Sequence, residues 1–196
     1  MNFGVLKSEV LARGFNFQDA ARVGRWVNQA HAELCDQEDW PFLQAAETGV
    51  PPLAISDLGV VLGVSCGTIQ LAPADQIQLE DDYSDLTVQG APTFYFPTTT
   101  GIGTYPLTTD EIRVRYSRVP DDMTDDSDEP LPPARFHELI VLGALRRAAL
   151  EESDGPDYQT FDAEWQRGVQ TMRERVLLWH RDGNQSMLMT ADHGDS

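Results

Sequence analysis

The chain has 196 residues, of which 41% are hydrophobic, and 32 acidic residues against 14 Lys and Arg give a formal net charge of -18. This length and apolar content suffice for one sizeable core, or for a core with an attached subdomain. The charge argues against nucleic-acid binding by phosphate neutralisation, which needs Lys and Arg. Two interpretations stay open: a solubilising acidic surface, or a path along which DNA slides because like charge repels phosphate.

No stretch approaches the roughly 18 consecutive apolar residues of a membrane-spanning helix. Residues 1–7 lack the apolar core of a secretion signal, so we expect a protein made in the cytoplasm, without membrane contact. Cys35 and Cys66 are too few for a disulfide framework, and we expect both thiols to be reduced.

The front of the chain is predicted to be helical. Residues 3–13 form a short amphipathic helix that Gly14 ends. A second helix has an apolar stripe at spacings of three and four residues, made of Ala20, Val23, Val27, Ala30 and Leu34. We expect it to end near Asp39, because Pro41 disfavours the helical conformation at Trp40. Trp40 and Phe42 around this proline are interpreted as a rigid corner in the core.

The middle of the chain, residues 44–119, is rich in Gly, Pro, Thr and Val and is predicted to form strands. Short strands are expected at 58–64, 68–71, 76–80, 93–96 and 111–116. The first of these is apolar throughout, which predicts a buried strand. Residues 98–103 are expected to form a flexible hairpin tip.

The strand at 111–116 has the clearest alternation. Ile112, Val114 and Tyr116 face one way, whereas Arg113 and Arg115 face the other. Several short strands separated by turn signals are typical of a small antiparallel sheet or barrel.

The back of the chain begins with an acidic linker, residues 120–130, that we expect to be too charged to pack. A third helix starts at Pro132 and Pro133, and its apolar stretch at 139–150 predicts a central, buried helix. Arg146 and Arg147 interrupt this stretch. Buried arginines need acidic partners, either on the front helices, which we favour, or on a neighbouring subunit.

The last helix is predicted from Pro156 to Gly183, with an apolar stripe of Phe161, Trp165, Val169, Met172, Val176 and Trp179. The polar residues after it contain one apolar cluster at 187–189. That cluster is interpreted either as a segment that docks on another protein or as a cover for the chain's own helices.

These elements predict an α+β protein. Residues 1–43 and 131–183 form an antiparallel bundle of about four helices, which serves as a hub. Residues 44–119 form an inserted small antiparallel β-sheet or barrel subdomain. Residues 120–130 are an acidic linker, and residues 184–196 an extended C-terminal tail.

Motifs for catalysis or metal binding are not found in the sequence. The acidic run from Asp121 has Met123 at its third position and Asp126 at its sixth, where a calcium loop needs a carboxylate and a glycine. The glycines at 101 and 103 open no predicted helix, so a dinucleotide loop is not indicated. The four histidines lack metal-ligand spacing. We expect no catalytic residue, cofactor or metal, and no enzyme activity.

Two sets of motifs stand out at the helical ends. The front set is residues 23–34 and 39–43, and the back set is residues 131–140 followed by a small-residue helix, an acidic break at 151–157 and the last apolar stripe. In these motifs both helical ends resemble head-to-tail adaptor (connector) proteins of tailed bacteriophages. The resemblance does not extend to the β-rich middle. It implies a structural virion protein of the neck, without catalysis, that forms a ring, typically dodecameric, and joins the portal to the next tail component.

The same resemblance directs the choice of site residues. Candidates for portal contact are Trp179, His180, Met187, Leu188 and Met189. Candidates for contact with a neighbouring subunit or the tail are Arg146, Arg147, Thr98, Ile102 and Tyr105. Candidates for facing a channel, through which double-stranded DNA passes without specific binding, are Asp121, Asp122, Asp125 and Asp126.

A rival hypothesis belongs to another class. A strongly acidic chain could be a binding module, such as a DNA-mimic inhibitor of a host protein. That hypothesis predicts a tight complex with a basic host protein and no ring.

Overall fold

The computed structural model describes residues 1–13, 19–83, 85–151 and 155–190, with side chains of the last helix described from 157 to 176. The described chain is mixed α+β and divides into two compact units. The helical unit comprises Met1–Phe42 and Pro120–Ser196, and the β unit comprises Leu43–Val119. The helices are α1 (Phe3–Ala12), α2 (Ala20–Cys35), α3 (Gln76–Asp82), α4 (His137–Glu151) and α5 (Gly155–Thr190).

The predicted apolar stripes form most of the core of the helical unit, although Ala20 is exposed and Phe161 is only half-buried. Helix α4 packs against α1, α2 and α5. Its central position is confirmed by the burial of almost every side chain between 139 and 149, although Leu150 is exposed. Gly143 permits a close approach of α4 and α2, because a Cβ there would lie 2.9 Å from that of Ala30. The facing stripes are equally buried and consist of Val23, Val27, Ala30, Leu34, Trp165, Val169, Met172 and Val176.

Helix α2 ends at Cys35, earlier than the expected end near Asp39. The chain turns after Cys35, and the buried indole of Trp40 donates a hydrogen bond of 2.8 Å to the Leu34 carbonyl. This bond satisfies one of the carbonyls that a helix leaves without a partner in its last turn. Phe42 stacks on Trp40 with ring centroids 5.8 Å apart, which confirms the interpretation of this motif as a packed corner.

Two helix boundaries at the back of the chain differ from the prediction. Helix α4 begins at His137, after a 3-10 turn at Ala134–Phe136, and not at the two prolines. Helix α5 continues past Gly183 to Thr190, so the prediction of an extended tail from residue 184 is wrong up to that point. A glycine inside a helix costs only about 1 kcal/mol relative to alanine, and the Gln, Met and Leu residues that follow are good helix formers.

The β unit contains two four-stranded sheets. Its strands are β1 (Gln44–Gly49), β2 (Leu53–Ala54), β3 (Leu58–Cys66), β4 (Ile69–Gln70), β5 (Ala72–Pro73), β6 (Phe94–Pro97), β7 (Gly101–Tyr105) and β8 (Ile112–Arg118). The first sheet has the order β1-β8-β3-β4 and is antiparallel, and the second has the order β2-β7-β6-β5, with β5 parallel to β6. Of the two predicted forms, a sheet or a barrel, the barrel is not formed by the described strands, because each sheet ends in its own edge strands and three of those edges are only two residues long.

The strand predicted at 111–116 is confirmed as the inner strand β8. Ile112, Val114 and Tyr116 are buried in the core of the β unit, and Arg113 and Arg115 are exposed on the other face. The Tyr116 hydroxyl donates to Asp57 over 2.9 Å. Burial, with the hydrogen bond to Asp57, raises the pKa of Tyr116 to about 12.

Residues 76–80 form helix α3 and not the expected strand. The carboxylate of Asp75 accepts a hydrogen bond of 2.7 Å from the Ile77 amide and caps the helix. Leu79 is buried whereas Ile77 is 70% exposed, so the short alternation of apolar residues had favoured the wrong structure.

Two further expectations in the β unit need correction. The strand at 58–64 is not buried throughout, because Val60 and Leu62 are 62% and 46% exposed. The expected flexible tip at 98–103 is a tight turn followed by β7, whose five residues are all buried. A Cβ at Gly101 would lie 1.8 Å from the Leu53 carbonyl oxygen, so only glycine permits this strand to approach β2.

Candidate functional site

The helical unit contains an enclosed cluster of charge around Arg146. From α4, its guanidinium donates to Glu33 of α2 and, over 3.0 Å, to Asp162 of α5, and it lies 4.3 Å from the ring centroid of Trp165. Burial disfavours the charged form, but the hydrogen bonds that Arg146 donates to Glu33 and Asp162, with the attraction of both carboxylates, outweigh it and raise the pKa of Arg146. The prediction of acidic partners within the chain is confirmed.

Arg147 shares the same acidic partner. Its guanidinium donates to the second carboxylate oxygen of Glu33 over 2.7 Å, and its side chain is about one-third exposed. Both arginines therefore bind within one subunit and connect three helices. Their contact with a neighbouring subunit stays a prediction.

The acidic linker packs against the front helices, so the expectation that it is too charged to pack is wrong. The Phe3 and Gly4 amides donate to the carbonyls of Asp128 and Asp126 over 2.8 and 3.0 Å. Amides in the first turn of a helix have no partner inside it. The linker supplies those partners from its main chain, which leaves its carboxylates at the surface.

A second attachment of the linker is the side chain of Asn28 on α2. Its amide donates to the Met123 carbonyl over 3.0 Å and accepts from the Met123 amide over 3.1 Å. The Met123 side chain is buried. Asp128 accepts hydrogen bonds from the amides of Asp125 and Thr124, which lower the pKa of its carboxyl. The segment thus has a defined turn.

The four candidates for a channel surface are all exposed on this linker. Asp126 pairs with Lys7 over 2.6 Å. Within the described residues, Asp121, Asp122 and Asp125 make no side-chain hydrogen bond or ion pair. Their charge is therefore directed to the surroundings, and whether they face DNA stays a prediction.

The contact candidates in the β unit occupy different environments. Thr98 is half-buried and its hydroxyl accepts from the Gly101 amide over 3.1 Å, which closes the turn before β7. Ile102 is fully buried, and Tyr105 is 7% exposed with its ring 4.6 Å from that of Tyr83. The side chains of Ile102 and Tyr105 thus belong to the core, and only Thr98 of the three reaches the surface.

The portal-contact candidates lie on the last part of α5. Trp179, His180 and the cluster at 187–189 have helical backbone, and their side chains lie outside the described residues. The apolar cluster therefore lies in the final turns of a helix and not in an extended tail.

The two histidines whose side chains are described, His31 and His137, have structural partners. The ring of His31 accepts the Leu131 amide over 3.2 Å, and that of His137 lies 2.7 Å from the Met1 amine and 2.8 Å from the Pro132 carbonyl. Across the described ranges, no group of three His, Cys, Asp or Glu residues could hold a metal ion. None of the helices described combines the length and apolarity that crossing a bilayer would take.

One surface was missed as a candidate by the sequence reasoning, although its signal was present. Arg113 and Arg115 project from the outer face of β8, beside the exposed Leu62 of β3. Their alternation with the buried residues of β8 predicted exposure. The apolar neighbour on β3 could not be predicted, because it depends on strand pairing.

The fold is mixed α+β. The features described above are exposed charged surfaces, and ion pairs and hydrogen bonds that connect the helices and the linker. A family model described as SU10 adaptor protein matches residues 1–189. The chain therefore belongs to the SU10 adaptor protein family. The match includes the β-rich middle that the resemblance did not cover. It supports a structural adaptor of a bacteriophage virion that interacts with other head or tail components. A comparison with curated proteins found no match.

Proposed function

We propose that the chain is a subunit of a ring, dodecameric in the assembled particle, that joins the portal to the next component of the neck or tail. The observation that carries this proposal is the match to the adaptor family over residues 1–189. The proposed role is structural: the ring continues the DNA channel and involves no catalytic step.

The proposed portal contact is the end of α5. Met187, Leu188 and Met189 form an apolar cluster in a polar segment, with Trp179 two to three turns before it. A helix with such a cluster binds a partner by laying its apolar residues in a groove. The deletion of this segment is therefore the most direct test of portal docking.

The proposed channel surface includes the exposed acids of the linker. Asp121, Asp122 and Asp125 add to a formal charge of -18 per chain. A surface of this sign repels phosphate and lets DNA pass without being held. This arrangement supports passage of double-stranded DNA without specific binding.

Electron microscopy of the purified chain, alone and mixed with portal rings, tests the proposal. We expect a twelve-fold collar bound to one end of the portal. A chain that leaves portal rings bare and is instead recovered in a tight complex with a basic host protein would support the rival, an acidic inhibitor.

Removal of residues 184–196 tests the docking role. We expect a folded chain that no longer assembles on portal rings, because the apolar cluster is lost. The matched control removes only residues 191–196 and keeps the cluster, and it should assemble normally. Unchanged assembly of the longer deletion would show that the portal contact lies elsewhere.

A further inference from the structure

The outer face of the first sheet has a basic character that is unusual in this acidic chain. We call Arg113, Arg115 and Leu62 the basic face. Arg113 and Arg115 are exposed on β8, an inner strand, and Leu62 is 46% exposed on the neighbouring β3. Leu62 and Arg115 border a shallow hollow of about 290 Å3. Exposed arginine beside exposed apolar surface is typical of protein interfaces.

The pairing register keeps this face open. Arg115 lies between Ala46 of β1 and Gly63 of β3, and Arg113 lies between Thr48 and Ser65. All four of these paired neighbours are small, and both arginines are exposed, although the Gln70 side chain of β4 also approaches the Arg115 guanidinium above Gly63. A carboxylate from outside can therefore approach both groups.

The side chains of the two arginines also lack the acidic partners that several cations of the helical unit have. Within the described residues, neither side chain makes a hydrogen bond or an ion pair. By contrast, the cations that form ion pairs with acids of the helical unit are Lys7, Arg13, Arg22, Arg146, Arg147 and Arg173. With 32 acidic residues in the chain, this absence of pairing leaves the basic face available to an external acid.

A complementary surface lies on α3 of the same β unit. We call Ile77, Glu80, Asp81 and Asp82 the acidic edge. All four are exposed, and in the described chain none of the three acids forms an ion pair. Leu79 anchors α3 to Phe96 and Tyr105 of the second sheet, so the edge is held in place. It offers carboxylates beside one exposed apolar side chain, as the basic face offers guanidinium groups beside Leu62.

We propose that the basic face binds the acidic edge of a second copy of this chain; the inference rests on the proposed ring and names its subunit contact. Charge complementarity selects this occupant, because both surfaces belong to one chain and carry opposite charges. The two patches are different, so the contact is head-to-tail. Contacts of this kind close into rings or continue as filaments, whereas a two-fold contact would stop at a dimer.

Charge reversal on each side tests the contact. The first variant carries Arg113→Glu and Arg115→Glu, and the second carries Glu80→Lys and Asp81→Lys. We expect each to assemble about tenfold or more weakly than the unmodified chain, because like charges then face each other. An equimolar mixture should assemble again, since each altered surface finds its complement. Light scattering and electron microscopy, with and without portal rings, measure assembly, and circular dichroism checks the fold.

A control variant makes the same change in net charge at another place. Arg167→Glu with Arg175→Glu alters two exposed residues of α5, and we expect assembly like that of the unmodified chain. Rings that persist in the first variant would overturn the proposed contact and leave the ring intact. Failure of the mixture to recover would overturn the pairing of the two surfaces.

The remaining outcomes separate the contact from the ring. The unmodified protein could instead form open filaments. If these are lost in each charge-reversal variant and restored on mixing, the result would support the contact and contradict the ring. A chain that stays monomeric with and without portal would overturn both. Retention of the unmodified chain on double-stranded DNA, lost in the first variant, would identify DNA as the occupant and overturn the proposal.

Discussion

Among the charged side chains of the helical unit that have described partners, the side chain of Arg146 is the least exposed. Its side chain is 10% exposed and contacts two carboxylates and an indole. We expect Arg146→Met to lower the free energy of unfolding by about 2 to 3 kcal/mol, because Glu33 and Asp162 lose their shared cation. Denaturant titration of the purified variant measures the change.

Arg147→Met is the matched control for that prediction. Arg147 also binds Glu33 but is about one-third exposed, so solvent screens its charge. We expect a loss of about 0.5 kcal/mol. Equal effects of the two substitutions would contradict the view that enclosure makes the Arg146 pairing the stronger one.

His31 makes the stability of the protein depend on pH. Burial, together with the nearby His137, lowers the pKa of His31 to about 4, against 6.5 for an ordinary histidine, and Asp122 opposes this only in part. Between those values the unfolded chain binds a proton that the folded chain does not. The free energy of unfolding therefore falls as pH drops from 6.5 to about 4, by up to about 3 kcal/mol.

The substitution His31→Gln tests this pH dependence. Glutamine keeps an acceptor for the Leu131 amide but does not titrate, so stability should fall less steeply over the same pH range. Some slope should remain, because burial also lowers the pKa of His137. Denaturant titrations at several pH values measure it, and the pH range above 6.5 serves as the internal control. An unchanged slope would show that His31 does not titrate as described.

At the level of elements, one side chain of α2 holds the linker from residue 120 to 130 in addition to its bonds to α1. Asn28 makes two hydrogen bonds to the main chain of Met123. We expect Asn28→Ala to free the linker locally and to increase its cleavage by an aspartate-directed protease by up to about thirtyfold, since each of the two bonds contributes about 1 kcal/mol.

Gln29→Ala is the control for this experiment. Gln29 is exposed on the same helix and makes no hydrogen bond to the linker within the described residues. Cleavage should match that of the unmodified chain. If Asn28→Ala is cleaved no faster, the linker is held mainly by its carbonyl bonds to α1.

The elements also show what sequence periodicity can predict. The stripes of α2 and α5 extend over three or more turns, so their period of 3.6 residues was clear, and the apolar stretch of α4 indicated burial on every side. Residues 76–80 supply only two apolar side chains, and such a short stretch fits a strand as well as a helix. There the cap from Asp75 determined the structure.

At the level of the whole molecule, the β unit has its own core, and its first and last strands lie side by side. Gln44, near its start, pairs with Ser117, near its end, on adjacent strands. We expect residues 43–119 to fold alone and to unfold cooperatively on heating. Ile112→Ala should cost about 3 kcal/mol, because Ile112 is fully buried. Arg113→Ala should leave the melting curve unchanged, and a fragment without a cooperative transition would contradict its independence.

Contacts between distant parts of the sequence set the limit of prediction at this scale. The need of Arg146 for acidic partners followed from its place in an apolar helix, but Asp162 could not be chosen among 32 acids. Likewise, four of the five predicted strands correspond to observed ones, β3, β4, β6 and β8, whereas the other four strands and the division into two sheets were not predicted. Strand order depends on non-local hydrogen bonds, which no local pattern encodes.

The linker is attached to α1 through its main chain, so this attachment does not require its acidic side chains. The amides of Phe3 and Gly4 bind carbonyl oxygens, which every amino acid provides. Asp121 and Asp125 could therefore be exchanged for neutral or basic residues with little loss of stability. The charge of this surface can thus change by selection or by engineering without altering the packing of the helices beneath it.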